Sequence, residues 1–511
     1  MRTRDIALIL ISACLLIFSF PKINQPLFAW FAFVPLLYAV EEKSAYRSFL
    51  LGWLCGLIFS IGLVYWIVVV TTTYGRLSYP IGIALMLMLS AYLALYSGLS
   101  LGLSRYVEQK SSIALPLVFP FFWVSLEYIR SFLLSGFPWE NLGYSQYRLR
   151  TLMQSVDVTG VYGISFLIVW VNALIYLLLR GIAQRNIPWK SLTLTIFMLV
   201  SDLLYGTIRI SEVEKLAVQS PALRVGLVQG NIDQGIKWDR NFREQALNTH
   251  QALSLRSLQD KAELVIWPES ATPFYFQSEP YYQEALFDLI QDRGAYLLVG
   301  SPAFSQEHNR VLNFNSAFLL SPSRTIAGRY DKMHLVPYGE YVPLKELFFF
   351  VDKMVEGIGD FSPGRKISLL QLPGAQFGVL ICYEIIFPDL TRRFVKQGAD
   401  FLVNITNDAW FGNTSAPYQL FSMAVVRAIE NKRFIARSAN TGVSGIITPT
   451  GEIESASVIF TEAAITARIK LLTMSTFYSA YGDVFALFVT AAALFLVAAA
   501  AVKKGVRKGR C

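Results

Sequence analysis

The sequence predicts two structural classes in one chain: a polytopic α-helical membrane domain and an α/β domain placed before its last helix. Three observations carry this. The 511 residues are 54% hydrophobic with only 16% charged, and the mean hydropathy is +0.44, too apolar for a soluble enzyme of this length. Nearly all the charge-poor stretches long enough to cross a bilayer lie before residue 207 or after residue 483. Between them stands a block of ordinary soluble composition, in which short β-rich runs alternate with segments of helix-like apolar spacing.

Length and scarcity of charge place membrane helices near 6–21, 26–40, 49–70, 80–104, 114–135, 160–179, 188–206 and 484–502, eight in all. The first opens with Arg2 and Arg4, and Ile11-Ser12-Ala13-Cys14 resembles a lipoprotein processing site. Apolar sequence continues through Leu15 to Phe20, so this helix is read as retained rather than cleaved. Lys43 and Arg47, Arg105 and Lys110, and Arg180, Arg185 and Lys190 fall in alternate loops, on the side of the basic C-terminal tail. Those loops and both termini are expected in the cytoplasm. Residues 1–206 then form a seven-helix membrane domain, 207–483 an external domain, and 484–511 an eighth helix with a basic tail. In a bacterium that is the inner membrane with a periplasmic domain.

The net charge of +9 is largely this topology signal. No basic helix with interleaved aromatics exists to make a nucleic-acid groove. Glu127 and Arg130, three residues apart in the fifth span, are expected to pair on one helix face, with contact to a lipid headgroup or to the Pro138-Trp139 loop as the alternative. Tyr65 and Trp66 either line a lipid entrance or belong to an interfacial aromatic belt.

In the external block, 223–228, 264–267, 296–300, 378–383, 401–405 and 445–449 read as strands, and 241–258, 281–293 and 419–432 as helices. Functional residues are expected at strand ends and loops. Cys382 is the only cysteine of this block, without a disulfide partner there. By itself it reads as a small buried hydrophobe at least as well as a nucleophile. Two other segments change the balance: Trp267-Pro268-Glu269, a carboxylate where an apolar run breaks at proline, and Tyr330-Asp331-Lys332-Met333-His334, a lysine in a short loop. A lysine beside the thiol is expected to lower its pKa, and a glutamate is suited to take the thiol proton. Lys332 and the Tyr383 backbone N–H are candidate oxyanion donors. His250 and His308 read as surface residues, and His334 as orienting the lysine loop.

The ordered trio Trp267-Pro268-Glu269, Asp331-Lys332-Met333-His334-Leu335-Val336-Pro337 and Ile381-Cys382-Tyr383-Glu384 resembles the Glu-Lys-Cys signature of the carbon–nitrogen hydrolase, or nitrilase, superfamily. With helices on both sides, the resemblance narrows to the apolipoprotein N-acyltransferase family, to which 136–139, 143–146 and 406–412 are also similar. It implies a four-layer αββα nitrilase-like domain and a ping-pong reaction. Cys382 would take the sn-1 acyl chain of a phospholipid, typically phosphatidylethanolamine, as a thioester, and pass it to the α-amine of a diacylglyceryl-cysteine on an apolipoprotein. By motif, Glu269 is the general base, Lys332 the oxyanion stabiliser and Cys382 the nucleophile.

The same resemblance associates Trp238, Glu340, Tyr383 and Glu384 with activity. Glu340 either positions Lys332 or the incoming amine, or is a solvated loop acid. Glu384, on the side of Cys382 in an extended chain, has a backbone hydrogen bond as its plain alternative. Trp238 and Trp410 have plain packing as theirs. Residues 338–343 and 410–418 are candidate lid loops that keep water from the thioester. No cofactor is implied, no His/Cys/Asp cluster has metal-ligand spacing, and a monomer in the bilayer is expected. The competing functions are a membrane-anchored amidase acting on a small amide, for which seven preceding helices are excessive, and a non-enzymatic receptor, against which retention of all three groups speaks.

Overall fold

The computed structural model describes residues 2–111, 113–233, 242–307, 310–341 and 361–508, the side chains of 503–508 excepted. Trp238, His308 and residues 342–343 of the first candidate lid lie outside the described residues. Contacts divide the chain into a helical unit (Met1–Val68, Tyr79–Ile210 and Tyr481–Cys511) and an α/β unit (Val69–Ser78 and Ser211–Ala480).

The helical unit contains α1 (Thr3–Ser19), α2 (Val34–Ala39), α3 (Ala45–Val64), α4 (Tyr79–Ser111), α5 (Leu115–Arg130), α6 (Val161–Ala183) and α7 (Trp189–Gln219), with a last helix, Val484–Lys508. Among the described residues, α3, α4, α6, α7 and Val484–Val502 are long and apolar enough to cross a membrane. The other three expected spans are helical but short. α1 has 17 residues and α5 has 16, and 26–40 is a 3-10 turn, Pro26–Trp30, followed by the six-residue α2. Pro26 and Pro35 each sit at a helix start, where a missing N–H and a fixed φ are tolerated, and so divide the apolar run. Small residues bring α3 and α4 together: a Cβ on Gly56 would lie 2.7 Å from the Ser97 Cβ.

Glu127 and Arg130 are not an ion pair. Glu127 accepts from the Trp123 indole at 2.9 Å and from the Leu142 N–H at 2.7 Å, while Arg130 donates to the Trp139 carbonyl at 3.1 Å and to Asn141. Both side chains anchor the 138–142 loop, because unsatisfied backbone groups there cost more than an intrahelical pair returns. Trp66 and Trp139 pack at 4.8 Å, whereas Tyr65 is exposed.

The α/β unit is built on two six-stranded sheets. One has the order β12-β1-β2-β3-β4-β5 and the other β11-β10-β9-β8-β7-β6. The strands are β1 (Ala222–Gln229), β2 (Leu264–Ile266), β3 (Tyr296–Glu307), β4 (Arg310–Leu320), β5 (Ile326–Asp331), β6 (Leu370–Leu372), β7 (Ala375–Ile381), β8 (Phe401–Thr406), β9 (Ile435–Ala439), β10 (Gly445–Ile447), β11 (Ile453–Ala456) and β12 (Ala463–Lys470). β1 packs on β9 and β4 on β7, so the sheets meet face to face. α8 (Arg243–Gln259) covers β1, β2 and β12; α10 (Pro388–Lys396) and α11 (Ala416–Asn431) cover β7 and β9, and α9 (Pro280–Gln291) lies between β2 and β3 in sequence. This gives an αββα order of layers.

All six expected strands are present. β4, β5, β6, β9, β11 and β12 are additions, and polar residues such as Asn313 and Asn315 in β4 and the fully buried Arg437 in β9 concealed some of them. β1, β2 and β3 run parallel, as do β7, β8 and β9. Their C-terminal ends therefore gather loops at one edge of the sandwich, where α/β folds place ligands.

Candidate active site

Glu269 leaves the end of β2 through Trp267 and Pro268. It is 6% exposed, and three donors hold it. Its Oε1 accepts from Lys332 Nζ at 3.4 Å and from Asn315 Nδ2 at 2.8 Å, and its Oε2 from the Asn407 N–H at 2.8 Å. Lys332 follows β5 and is 1% exposed. Its ammonium lies 3.0 Å from Glu340, which also accepts from Asn315 Nδ2 at 2.9 Å and from the Val336 N–H at 2.8 Å. Glu340 is thus a buried partner of Lys332 and not a solvated loop acid. Burial acts to lower the Lys332 pKa, but Glu340 and Glu269 outweigh it, and the net shift is upward. The lysine is a fixed cation.

Cys382 stands where β7 ends and a single 3-10 turn, Cys382–Ile386, begins. Its φ of 53° is left-handed, which costs a non-glycine residue on the order of 1 kcal/mol or more. The strand therefore stops at Ile381, two residues earlier than its apolar run suggests, and the thiol turns out of the sheet at the strand end. Burial raises the thiol pKa; Glu269 and Asp408 raise it further, against Lys332 and a hydrogen bond with Thr406, which lower it. Lys332 acts on the thiol in the expected direction, but burial and the two carboxylates outweigh it. One ammonium is shared between two carboxylates, Glu269 and Glu340, beside the sulfur.

Glu384 is no neighbour on an extended face, because the turn at Cys382 removes the period of two. It is fully buried. Oε1 accepts from Tyr330 Oη at 2.8 Å and from the N–H groups of Met333 at 2.7 Å and His334 at 3.1 Å; Oε2 accepts from the Ile381 N–H at 2.8 Å. Burial pushes its carboxyl up to about 7, with the backbone N–H donors pulling the other way. This carboxylate ties the lysine loop to the cysteine turn. The His334 ring stacks on Phe387 at 3.6 Å, and Tyr383 packs on Phe387 at 5.2 Å. Trp410 meets Tyr74 edge-on at 5.0 Å, and Tyr74 Oη donates to the Ala409 carbonyl at 2.8 Å. His250 is buried and not on the surface, with Nδ1 2.7 Å from the Ala246 carbonyl and its ring against Trp267.

Three contributors escaped the sequence reading. Asn315 cross-links Glu269 and Glu340 with one amide nitrogen, and its backbone carbonyl accepts from the Lys332 N–H at 2.8 Å. The Asn407 N–H fixes Glu269. Asp408, fully buried, accepts from Thr406 Oγ1 at 2.7 Å and from Arg437 at 2.8 Å, anchoring the loop after β8. The only signal in the sequence is an amide inside an apolar run, Phe314-Asn315-Ser316-Ala317, while 406–412 stands out by its resemblance alone.

A doubly packed αββα domain with a buried carboxylate, lysine and cysteine at its strand ends is the arrangement of a carbon–nitrogen hydrolase domain, and residues 224–477 match the model of the carbon-nitrogen hydrolase family. Residues 12–174 match that of the apolipoprotein N-acyltransferase N-terminal domain. Proteins named apolipoprotein N-acyltransferase are similar over nearly the whole chain. The one from Geobacter metallireducens is 44% identical, covering 98% of this chain and 96% of its own. Those from Pasteurella multocida (33%; 87% and 84%) and Chlorobaculum tepidum (30%; 97% and 96%) follow. A carbon-nitrogen hydrolase structure from Helicobacter pylori, 18% identical, covers 49% of this chain and 89% of its own with a TM-score of 0.38. The chain belongs to the apolipoprotein N-acyltransferase family.

Proposed function

We propose that the protein transfers the sn-1 acyl chain of a phospholipid, with phosphatidylethanolamine the expected donor, to the α-amine of the S-diacylglyceryl-cysteine of apolipoproteins. The product is a triacylated lipoprotein. The observation that carries this reading is the buried Glu269–Lys332–Glu340 cluster beside the Cys382 turn, in a chain related along its length to proteins of that name.

Glu269 takes the thiol proton as sulfur attacks the ester carbonyl. The oxyanion is stabilised by Lys332 and by the Tyr383 N–H, a first-turn donor that helix geometry leaves without an intrahelical acceptor. The C–O bond breaks, Glu269 returns the proton to the departing lysophospholipid oxygen, and a thioester remains. The amine then attacks, Glu269 accepts its proton, the C–S bond breaks, and the thiolate is reprotonated. A neutral resting thiol suits this cycle, because the proton needed by the leaving group is held until the bond is cut. Eight spans, with the 207–483 block on the periplasmic side and both termini cytoplasmic, suit lipid substrates, and 338–343 with 410–418 remain the candidate lids.

The test uses phospholipid labelled in its sn-1 chain. Hydroxylamine-sensitive label on the protein, absent from Cys382→Ala and transferable to a diacylated lipopeptide, is expected. Label that persists in Cys382→Ala overturns the mechanism, and turnover of small amides without lipid labelling favours the amidase.

A further inference from the structure

Thr406, the last residue of β8, stands beside the cysteine turn. β8 runs parallel to β7 with Ile405 opposite Ile381, so the next residue along each chain, Thr406 and Cys382, meet where the two strands end. Thr406 is fully buried, and its hydroxyl is hydrogen-bonded with the thiol. The same hydroxyl donates to Asp408 Oδ1 at 2.7 Å. Asp408 has a second, independent hold. Arg437 Nη2 donates to its Oδ2 at 2.8 Å, and a Cβ on Gly442 would lie 2.0 Å from that oxygen, so the carboxylate is seated against bare backbone.

A threonine hydroxyl has one proton to give and two lone pairs. While that proton lies on Asp408, the oxygen faces a neutral thiol only as an acceptor. A charged sulfur changes the balance, because a hydrogen bond to an ionised acceptor is the stronger kind. Asp408 keeps Arg437 when the hydroxyl turns away, whereas Lys332, the cation that acts on the sulfur, already serves Glu269 at 3.4 Å and Glu340 at 3.0 Å. The hydroxyl proton therefore goes to the anion with fewer donors. The bond acts to lower the thiol pKa, the sign of a partner that favours the charged sulfur.

We propose that Thr406 is a catalytic residue, its hydroxyl turning from Asp408 to donate to the Cys382 sulfur whenever that atom carries charge. Charge develops there twice, as the thiol loses its proton to Glu269 and again as the thioester C–S bond breaks. No proton leaves the threonine oxygen in either step. The role in transfer rests on the acyl-transfer function proposed above; the partnership of hydroxyl and sulfur does not.

The test uses the full chain and two readouts. Iodoacetamide alkylation of Cys382 at one alkaline pH, followed by peptide mass spectrometry, reads the sulfur without any lipid. Thr406→Val keeps the shape and removes the hydroxyl; losing a hydrogen bond to a charged group should cut the thiolate fraction about tenfold or more. Nucleophilicity rises as the pKa does, so alkylation should slow about threefold or more. Thr406→Ser, which keeps the hydroxyl, should restore it. The slowing should persist when Thr406→Val is made in Asp408→Asn; if it vanishes there, the hydroxyl acts only through the Asp408 charge and the proposal falls. Should Asp408→Asn not fold because Arg437 is left uncompensated, Asp408→Asn/Arg437→Gln removes both charges, and Thr406→Ala replaces a Thr406→Val that does not fold. The second readout is transfer from labelled acyl-enzyme to a diacylated lipopeptide. In Thr406→Val its limiting rate should fall about tenfold or more, with the half-saturating lipopeptide concentration unchanged, and recover in Thr406→Ser. Alkylation at the wild-type rate in Thr406→Val, equal slowing in Thr406→Val and Thr406→Ser, or undiminished transfer each overturns the proposal. If wild type takes no label from phospholipid, the acyl-transfer function fails, and the alkylation series alone decides whether Thr406 serves the sulfur.

Discussion

Substituting alanine for Gly300 tests whether the position of Glu269 controls acylation. Gly300 lies in β3 beneath the strand end that carries Glu269, and a Cβ there would sit 2.3 Å from the Pro268 carbonyl oxygen and 2.8 Å from Glu269 Cα. Ordinary contact begins at 3.4 Å, so something must move by about 1 Å. β3 is fixed between β2 and β4, whereas 268–270 has left the sheet, so the shift falls on Glu269. A displacement of that size costs roughly 10²-fold in rate, and the overpacking about 1–3 kcal/mol of stability. The assay is the single-turnover rate of acyl-enzyme formation from labelled phospholipid, with thermal unfolding alongside. Gly328→Ala is the control: its Cβ meets only the Leu370 Cδ2 at 2.8 Å, a side-chain tip that swings away. A folded Gly300→Ala protein with the wild-type acylation rate would refute the reasoning, since the carboxylate would then tolerate a shift the geometry forbids.

Asn315→Leu removes two donors from carboxylates, each worth about 1.5–3 kcal/mol; acyl-enzyme formation should fall at least tenfold with little change in the KM for phospholipid, measured by initial rates. Alkylation of Cys382 should separate thiol acidity from catalysis. Glu269 raises the thiol pKa and Lys332 lowers it, so at mildly alkaline pH iodoacetamide should label Glu269→Gln faster than wild type and Lys332→Met more slowly, although neither transfers acyl groups. Glu384 is raised from 4.5 to about 7 by burial. A carboxyl with a folded pKa above its unfolded value binds protons more readily when folded, so its stabilising contribution is present below about 4.5 and lost as pH rises through about 7. Thermal unfolding across that window should show the decline in wild type and a flatter profile in Glu384→Gln.

The two-part architecture and the three chemical segments were legible because each depends on local sequence: runs of apolar residues, a strand broken at Pro268, a lysine loop, a thiol at a strand end. What failed depends on chain reversals. The Pro26 and Pro35 breaks shortened a span that hydropathy alone made continuous. Asn315 reaches Glu269 only through the antiparallel register that sets Ser316 opposite Asp331, and no spacing rule in one sequence reveals that pairing. Glu384 was misplaced because a period of two was carried past Cys382, where the backbone turns left-handed. Arg437 hid a strand because its buried guanidinium is satisfied by groups distant in sequence, Asp408 and Asn404 from the neighbouring strand and its loop together with the Val443 carbonyl.

The Glu384 bracket has a mechanical meaning. Tyr330 belongs to β5 of one sheet and Ile381 to β7 of the other, so a single carboxylate clips the two halves of the sandwich together directly behind the chemistry. Glu269 and Lys332 ride on one sheet and the Cys382 sulfur on the other. Their alignment is a matter of how the sheets seat on one another, and the clip converts any slippage along that seam into a loss at the reacting atoms. Core substitutions far from the thiol, wherever they let the layers slide, should therefore behave like weak active-site mutations.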